Sequence, residues 1–328
     1  MTGKLGLLLV NLGSPDAPTA KAVRKYLFEF LHDKRVIETS RWIWCLILHG
    51  IILRVRPARS ARAYAKVWGE EDGEGPLINI TRQQAAGLSQ RLGSDVHVEI
   101  AMRYGNPSIG SGLDSLTSKG CNQIAVLPMY PQFAGATTAS VYDGIAKALK
   151  KRKNLPEIRI LRDYHEDPRY IKALGDSLKS HLDSLTWTPD VVLTSYHGLP
   201  QSYVDDGDPY QKECIRTTDL LREYLDMSED QLLITFQSRF GPKAWLQPYT
   251  DKVLETLPQE AIKKVAVMMP GFSADCLETL EEIKIEAHEI FEKHGGEKFT
   301  AIPCLNDNPA HLDFLAELAK ERLLEGWL

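Results

Sequence analysis

The chain has 328 residues, 43% of them apolar and 25% charged, with a formal net charge of -5. That balance fits a globular protein of about two ordinary domains, and the acid excess argues against a general nucleic-acid binder. The five cysteines (Cys45, Cys121, Cys214, Cys276, Cys304) are scattered with no CxxC pair. A disulfide framework, a structural zinc site and an iron–sulfur cluster are therefore not expected, and reduced cysteines point to the cytoplasm.

Short apolar, β-branched runs read as strands at Leu5–Val10, His97–Ala101, Gln123–Leu127, Ile158–Leu161, Val191–Ser195, Leu232–Phe236, Val265–Met268 and Phe299–Ile302. The run at Leu7–Val10 is too short for the core of a signal peptide. The segments between the strands are rich in helix formers. Alternating strand and helix predicts parallel sheets with helices on both faces, an α/β chain. The longest apolar stretch, Trp42–Leu53 (WIWCLILHGIIL), falls short of the ~20 residues of a spanning helix. Arg41 precedes it, and Arg54, Arg56, Arg59 and Arg62 follow its end. With Trp42 and Trp44 it fits an interfacial helix on an anionic bilayer or the apolar lip of a pocket, against the plainer reading of a buried helix with a basic end.

The second half echoes the first. Leu12-Gly-Ser-Pro15 follows the first strand, and His197-Gly-Leu-Pro200 follows the fifth. Arg103-Tyr-Gly-Asn-Pro107 is echoed by Ser238-Arg-Phe-Gly-Pro242, Ile124-Ala-Val126 by Val265-Ala-Val267, and Asp163–Leu174 by Cys304–Leu315. The landmarks keep one order. They predict two similar Rossmann-like lobes, each a four-stranded parallel sheet, facing a cleft: residues 1–175 with the lip at 41–62, and residues 176–328 with an acidic helix at 276–290. GxGxxG, GxxxxGK[ST] and GxSxG are all missing, so dinucleotide, P-loop and serine-hydrolase readings fall away.

Ligands of open parallel sheets bind beyond the carboxyl ends of the strands. Those ends are followed by Leu12 and Gly13, by Arg103 and Tyr104, by Tyr130–Phe133, by His197, by Gln237-Ser-Arg239, and by Pro270 onward to Glu278. One histidine, arginines, aromatics and an acidic helix suit a large, flat, partly anionic ligand. His197, in a Tyr-His-Gly-Leu-Pro turn, is placed for proton exchange. Glu278, Glu282, Glu286 and Glu289 share one face of a helix. Carboxylates clustered in that way call for a cation or a shared proton, with Glu278 and then Glu282 nearest the strand end.

These residues are also the motifs of a known family. The blocks Leu9-Val-Asn-Leu-Gly-Ser-Pro15, Leu127-Pro-Met-Tyr-Pro-Gln-Phe133, Ser195-Tyr-His-Gly-Leu-Pro200, Gly207-Asp-Pro-Tyr210, Phe236-Gln-Ser-Arg-Phe-Gly241 with Trp245, and Pro270–Leu280 resemble bacterial ferrochelatases over nearly the whole chain. The resemblance implies insertion of Fe²⁺ into protoporphyrin IX with release of two protons, the last step of haem synthesis. His197 matches the family's central histidine, Glu278 the opposing carboxylate and Glu282 the next acid, and all three count as candidate metal ligands. Leu12, Arg56, Arg59, Tyr64, Arg103, Tyr104 and Trp245 match porphyrin-binding positions. The implied partners are the porphyrin and ferrous iron, both substrates. No permanently bound cofactor is implied, and a membrane contact through 42–53 remains an expectation. The chain departs from the pattern in three places. Cys276 stands where animal relatives carry a histidine, Gly75 replaces a serine before Pro76, and Leu328 ends the sequence without a cluster-binding cysteine tail. Rival readings are a chelatase for coproporphyrin or sirohydrochlorin, and a porphyrin or metal carrier without turnover.

Overall fold

The computed structural model describes residues 4–69, 73–150 and 152–328. All eight expected strands are present, most of them a residue or two longer than read from the sequence. The first sheet holds β1 (Lys4–Asn11), β2 (Val96–Met102), β3 (Cys121–Pro128) and β4 (Glu157–Ile160) in the order β2-β1-β3-β4. The second holds β5 (Val191–His197), β6 (Leu232–Gln237), β7 (Lys264–Met268) and β8 (Lys298–Ala301) in the order β6-β5-β7-β8. Every pairing is parallel. The two orders are the same pattern, so the echoing motifs mark a repeated architecture. β1 and β5 are central and buried apart from Lys4 at the start of β1 and His197 at the end of β5, as expected of strands covered on both faces.

The chain forms two compact units. The first comprises residues up to Met129, Gly135–Asp163 and Asp307–Leu328; the second comprises Tyr130–Ala134 and Tyr164–Asn306. In the first unit, α1 (Ala20–Leu31), α2 (Arg41–Ile47), α3 (Leu53–Val67), α4 (Pro76–Leu92), α5 (Ile109–Ser118) and α6 (Ser140–Leu149) surround the first sheet. In the second, α7 (Pro168–Asp183), α8 (Gln201–Asp205), α9 (Tyr210–Leu225), α10 (Thr250–Thr256) and α11 (His288–Lys293) accompany the second sheet. The last helix, α12 (Pro309–Arg322), packs on α4 in the first unit. Sequence order alone puts it with residues 176–328, but its buried Leu312, Leu315 and Leu318 seat on the first unit.

The stretch Trp42–Leu53 is not one helix. α2 and α3 are joined by a π-helical turn, Leu48–Ile52. Trp44, Leu48 and Ile52 are buried, while Trp42, Ile43, Leu46 and Ile51 are exposed, Trp42 by 87%. The expectation that both tryptophans serve an interface is corrected for Trp44, whose indole N–H donates to the Leu31 carbonyl at 2.7 Å. Among the described residues no helix is long and apolar enough to cross a membrane.

Candidate active site

The second unit gathers His197, Gln237, Ser238, Glu278 and Glu282. His197 is the last residue of β5 rather than the first of the turn, and it pairs in register with Gln237 at the end of β6. Its ring is solvent-facing, and Nδ1 lies 2.7 Å from the Gly198 carbonyl. A carbonyl can only accept, so Nδ1 carries a proton, and Nε2 is the ring nitrogen left without that bond. Gly198 is fixed by close approach. A Cβ there would lie 2.6 Å from the Gln237 carbonyl and 3.2 Å from the Trp245 ring. Trp245 thus covers the turn beside His197, its indole N–H donating to the Phe240 carbonyl at 2.8 Å.

The acidic segment is a π-helix, Glu278–Ala287, continued by α11. This corrects the α-helical expectation: bonds running i→i+5 make a wider turn, so residues four apart fan across the helix instead of stacking. Its apolar side, Ile283 and Ala287 with Phe291 of α11, packs in the core against Val191, Leu193, Val265 and Val267. Glu278 and Glu282 are half-buried, while Glu286 and Glu289 are exposed.

Glu282 is the tethered member. The Ser238 N–H donates to its Oε1 at 2.7 Å, the Ser238 hydroxyl to Oε2 at 2.5 Å and the Gln237 amide to Oε2 at 3.3 Å. The same Gln237 amide donates to the Glu278 carbonyl at 2.9 Å, while its own oxygen accepts from Ser195 at 2.8 Å. Ser238 holds φ +65, an unusual conformation for a side-chain-bearing residue, at the point where two of its donors converge on Glu282. Burial pushes the Glu282 carboxyl up from its ordinary value. The Ser238 hydrogen bond and the charge of His197 pull it down, and the charge of Glu278 adds to the rise. His197, Glu278 and Glu282 are therefore electrostatic neighbours. Beyond Glu282 a hollow of about 260 Å³ is lined by Gln237, Ser238, Arg239, Asp251 and Glu286, among others. It is smaller than the roughly 300 Å³ at which organic-ligand pockets begin, and Phe236, Ile283 and Ile290 make part of its wall apolar.

Cys276 is buried, and burial followed by the nearby Glu278 charge pushes its thiol well up. It stays protonated, unlike a thiolate ligand.

In the first unit the loop after β1 is pinned to the loop after β2. The Tyr104 N–H donates to the Leu12 carbonyl at 3.0 Å and the Arg103 N–H to that of Asn11 at 2.8 Å. Gly13, at φ +106, leaves no room for a Cβ, which would fall 1.9 Å from the Tyr104 carbonyl. Leu12 remains half-exposed. The side chains of Arg103 and Tyr104 converge on Asp33, which the sequence reading missed. Arg103 pairs with the Asp33 carboxylate, the Tyr104 hydroxyl donates to it at 2.8 Å and the Ser140 hydroxyl at 2.7 Å. Arg103 Nε also donates to the Ser140 carbonyl at 2.7 Å. Burial alone would raise the Asp33 carboxyl, but hydrogen bonds from Ser140, the Arg35 N–H and Tyr104, with the Arg103 charge, hold it below its ordinary value. Burial likewise pushes the Tyr104 phenol far up. Arg56 and Arg59 are exposed on α3, and Tyr64 is buried with its ring edge-on to Trp68 at 6.0 Å. Gly75 caps α4 beneath that tryptophan, and a Cβ there would lie 3.1 Å from the Trp68 ring and 3.2 Å from Ser14 Oγ. A serine at this position is thus crowded by Trp68.

The ferrochelatase family model matches residues 4–323. A ferrochelatase of Rhodopseudomonas palustris strain TIE-1 is 52% identical over 327 residues, 99% of this chain and 94% of the relative. One from Vibrio parahaemolyticus is 50% identical over 320 residues, covering 98% of each. The chain belongs to the ferrochelatase family. It is a metal chelatase, a lyase of haem synthesis with Fe²⁺ as a substrate. Among solved structures, SirB from Bacillus subtilis with Fe³⁺ superposes with a TM-score of 0.59 at 12% identity, covering 98% of this chain and 97% of SirB. CbiX, the terminal enzyme for siroheme biosynthesis in denitrifying bacteria, gives 0.52 at 14%, covering 97% and 99%. At these identities the likeness is one of fold, two lobes of four parallel strands.

Proposed function

We propose that the chain inserts Fe²⁺ into protoporphyrin IX, releasing two protons and giving protohaem, and that His197 is its proton acceptor. The carrying observation is the Nδ1–H···O=C bond of His197 to Gly198, which orients the exposed ring with Nε2 uncommitted to that bond, beside Glu278 and Glu282. Metal insertion needs both pyrrole N–H protons removed. An imidazole suits that task, and carboxylates suit delivery of the divalent ion or removal of the protons. In this reading Glu278 faces the reaction, Glu282 is held ready by Ser238 and Gln237, and Glu286 opens the line to the hollow behind it. The remaining matched positions, Leu12, Arg56, Arg59, Tyr64, Arg103, Tyr104 and Trp245, are proposed as porphyrin contacts. Arg56 and Arg59 are the exposed cations for propionates, whereas Arg103 acts through its Asp33 pair.

We place the reaction in the cytoplasm, with the exposed Trp42, Leu46 and Ile51 against the membrane face. The neighbouring hollow lined by Lys21, Arg24, Lys25 and Arg54 supports an anionic surface. Co-sedimentation with phosphatidylglycerol vesicles, abolished in Trp42→Ser/Leu46→Ser, checks this.

The activity is tested by following the Soret band of protoporphyrin IX with the purified chain and anaerobic Fe²⁺, or Zn²⁺ as an air-stable surrogate. Many turnovers per chain, faster than on a four-carboxylate porphyrin, are expected. A spectral shift that saturates at one porphyrin per chain with no metallated product would make the chain a carrier and sink the proposal.

A further inference from the structure

A pair of histidines in the first unit lies outside everything used above. His32 closes α1, and His49 sits in the π-helical turn Leu48–Ile52. Their Nε2 atoms are 3.3 Å apart. That is within reach of an N–H···N hydrogen bond between the two rings. It equals the separation of about 3.3–3.4 Å that two imidazole nitrogens take at tetrahedral angles around one metal, with metal–nitrogen bonds of about 2.0–2.1 Å.

The state of His32 fits the same purpose. Its Nδ1 lies 2.5 Å from the Phe28 carbonyl. The carbonyl can only accept, so Nδ1 holds a proton, and Nε2 is the nitrogen turned toward His49. Metal-binding histidines characteristically donate the other ring N–H to a carbonyl or carboxylate, which fixes the tautomer and aims the ring. Phe28 aims both rings here, with centroids 4.2 Å from His32 and 5.8 Å from His49. The two imidazoles cross at 64° with centroids 5.2 Å apart, so they are not stacked.

We propose that His32 and His49 form a two-imidazole site for a borderline divalent transition ion, Ni²⁺, Cu²⁺ or Zn²⁺, with solvent completing the coordination. Imidazole donors select these ions over Mg²⁺, which prefers oxygen. The neighbouring carboxylate of Asp33 is committed to Arg103, Tyr104 and Ser140, so the two nitrogens are the protein's share. Lys21, Arg24, Lys25 and Arg54 line a hollow with His49. Lys25 is paired with Asp16 at 2.8 Å, and the charges are surface-exposed and screened at physiological salt. Their effect is to lower affinity and to favour an anion such as chloride among the solvent ligands. The site's two ligands are distinct from the residues proposed for the reaction.

The test uses the full chain without a histidine tag. Ni²⁺ is titrated calorimetrically into the wild type, His32→Ala and His49→Ala, with Mg²⁺ as the hard-ion control. Cu²⁺ electron paramagnetic resonance then counts coordinated nitrogens. The wild type is expected to bind one more Ni²⁺ than either variant, or to bind it at least about tenfold more tightly, because loss of a ligand costs no less than loss of its outer-shell partner. The extra Cu²⁺ signal should show two nitrogens. Both variants should keep wild-type porphyrin metallation and melting temperature, which separates this site from the catalytic reading. Equal stoichiometry and affinity in all three proteins, or a loss in only one variant, overturns the proposal.

Discussion

At the residue scale, two networks carry different burdens. His197 is held by one hydrogen bond to its own chain and its ring is otherwise exposed. Its replacement by alanine should lower the metallation rate by about 10²–10⁴-fold, the usual worth of a positioned base, while the Soret shift on porphyrin binding persists. Unchanged turnover in His197→Ala would remove it from the mechanism. Asp33 is the opposite case, a buried carboxylate committed to four partners, Arg103, Tyr104, Ser140 and the Arg35 N–H. Asp33→Ala leaves Arg103 uncompensated and is expected to destabilise the first unit by about 3–5 kcal/mol, the cost of breaking a buried pair. Because the folded Asp33 is held below its ordinary value, its contribution is complete above the unfolded carboxylate range near pH ~3.9 and fades as pH falls through the lower folded value. The melting-temperature gap between wild type and Asp33→Asn should therefore narrow on acidification from pH 6 toward 3; a gap that widened would contradict the shift. His197 was legible in the sequence because a Tyr-His-Gly-Leu-Pro turn is local. Asp33 was not, because its partners Arg103 and Ser140 lie 70 and 107 residues away and no local spacing connects them.

At the element scale, the junction of β5, β6 and the π-helix decides where the carboxylates stand. Gln237 bonds at once to Ser195 of β5, to the Glu278 carbonyl and to Glu282, so any shift of the β6 end is passed to the acids. Gly198→Ala forces such a shift, since its Cβ would meet the backbone oxygen of Gln237 at 2.6 Å, and backbone yields less readily than a side-chain tip. A stability loss of about 1–3 kcal/mol, the range for overpacking, is expected together with a lower kcat at saturating porphyrin. Loss of stability with kcat intact would show that Gln237 does not position the acids. The strands were readable here, because β5 and β7 are short β-branched runs buried on both faces. The helix type was not, since glutamates spaced by four fit an α-helix and a π-helix alike. Only the apolar counterpart, Ile283, Ala287 and Phe291 packed on the sheet, shows which side remains for Glu278 and Glu282.

At the scale of the whole molecule, the repeat gives each half its own sheet, but the chain does not divide in the middle. α12 follows β8 in sequence yet closes the first unit. Asn308 caps it by accepting from the Ala310 N–H at 2.9 Å, Arg91 of α4 pairs with Asp313 at 2.6 Å, and Leu312 lies so close to Gly87 that a Cβ there would be 2.4 Å from its Cδ1. No local pattern states on which sheet an amphipathic helix will dock, which is why sequence order placed it in the other half. Leu318 is fully buried in this helix. Leu318→Ala should cost about 2–5 kcal/mol, the range for emptying a leucine site in a packed core. Since each unit has its own sheet and core, that cost should fall on one of them: amide exchange should speed in β1 and β3 while β5 and β7 keep their protection. Equal loss of protection in both sheets would mean that the units open as one cooperative body. In that case a substitution remote in sequence from His197, such as Leu318→Ala, would lower activity simply by unfolding the catalytic strands.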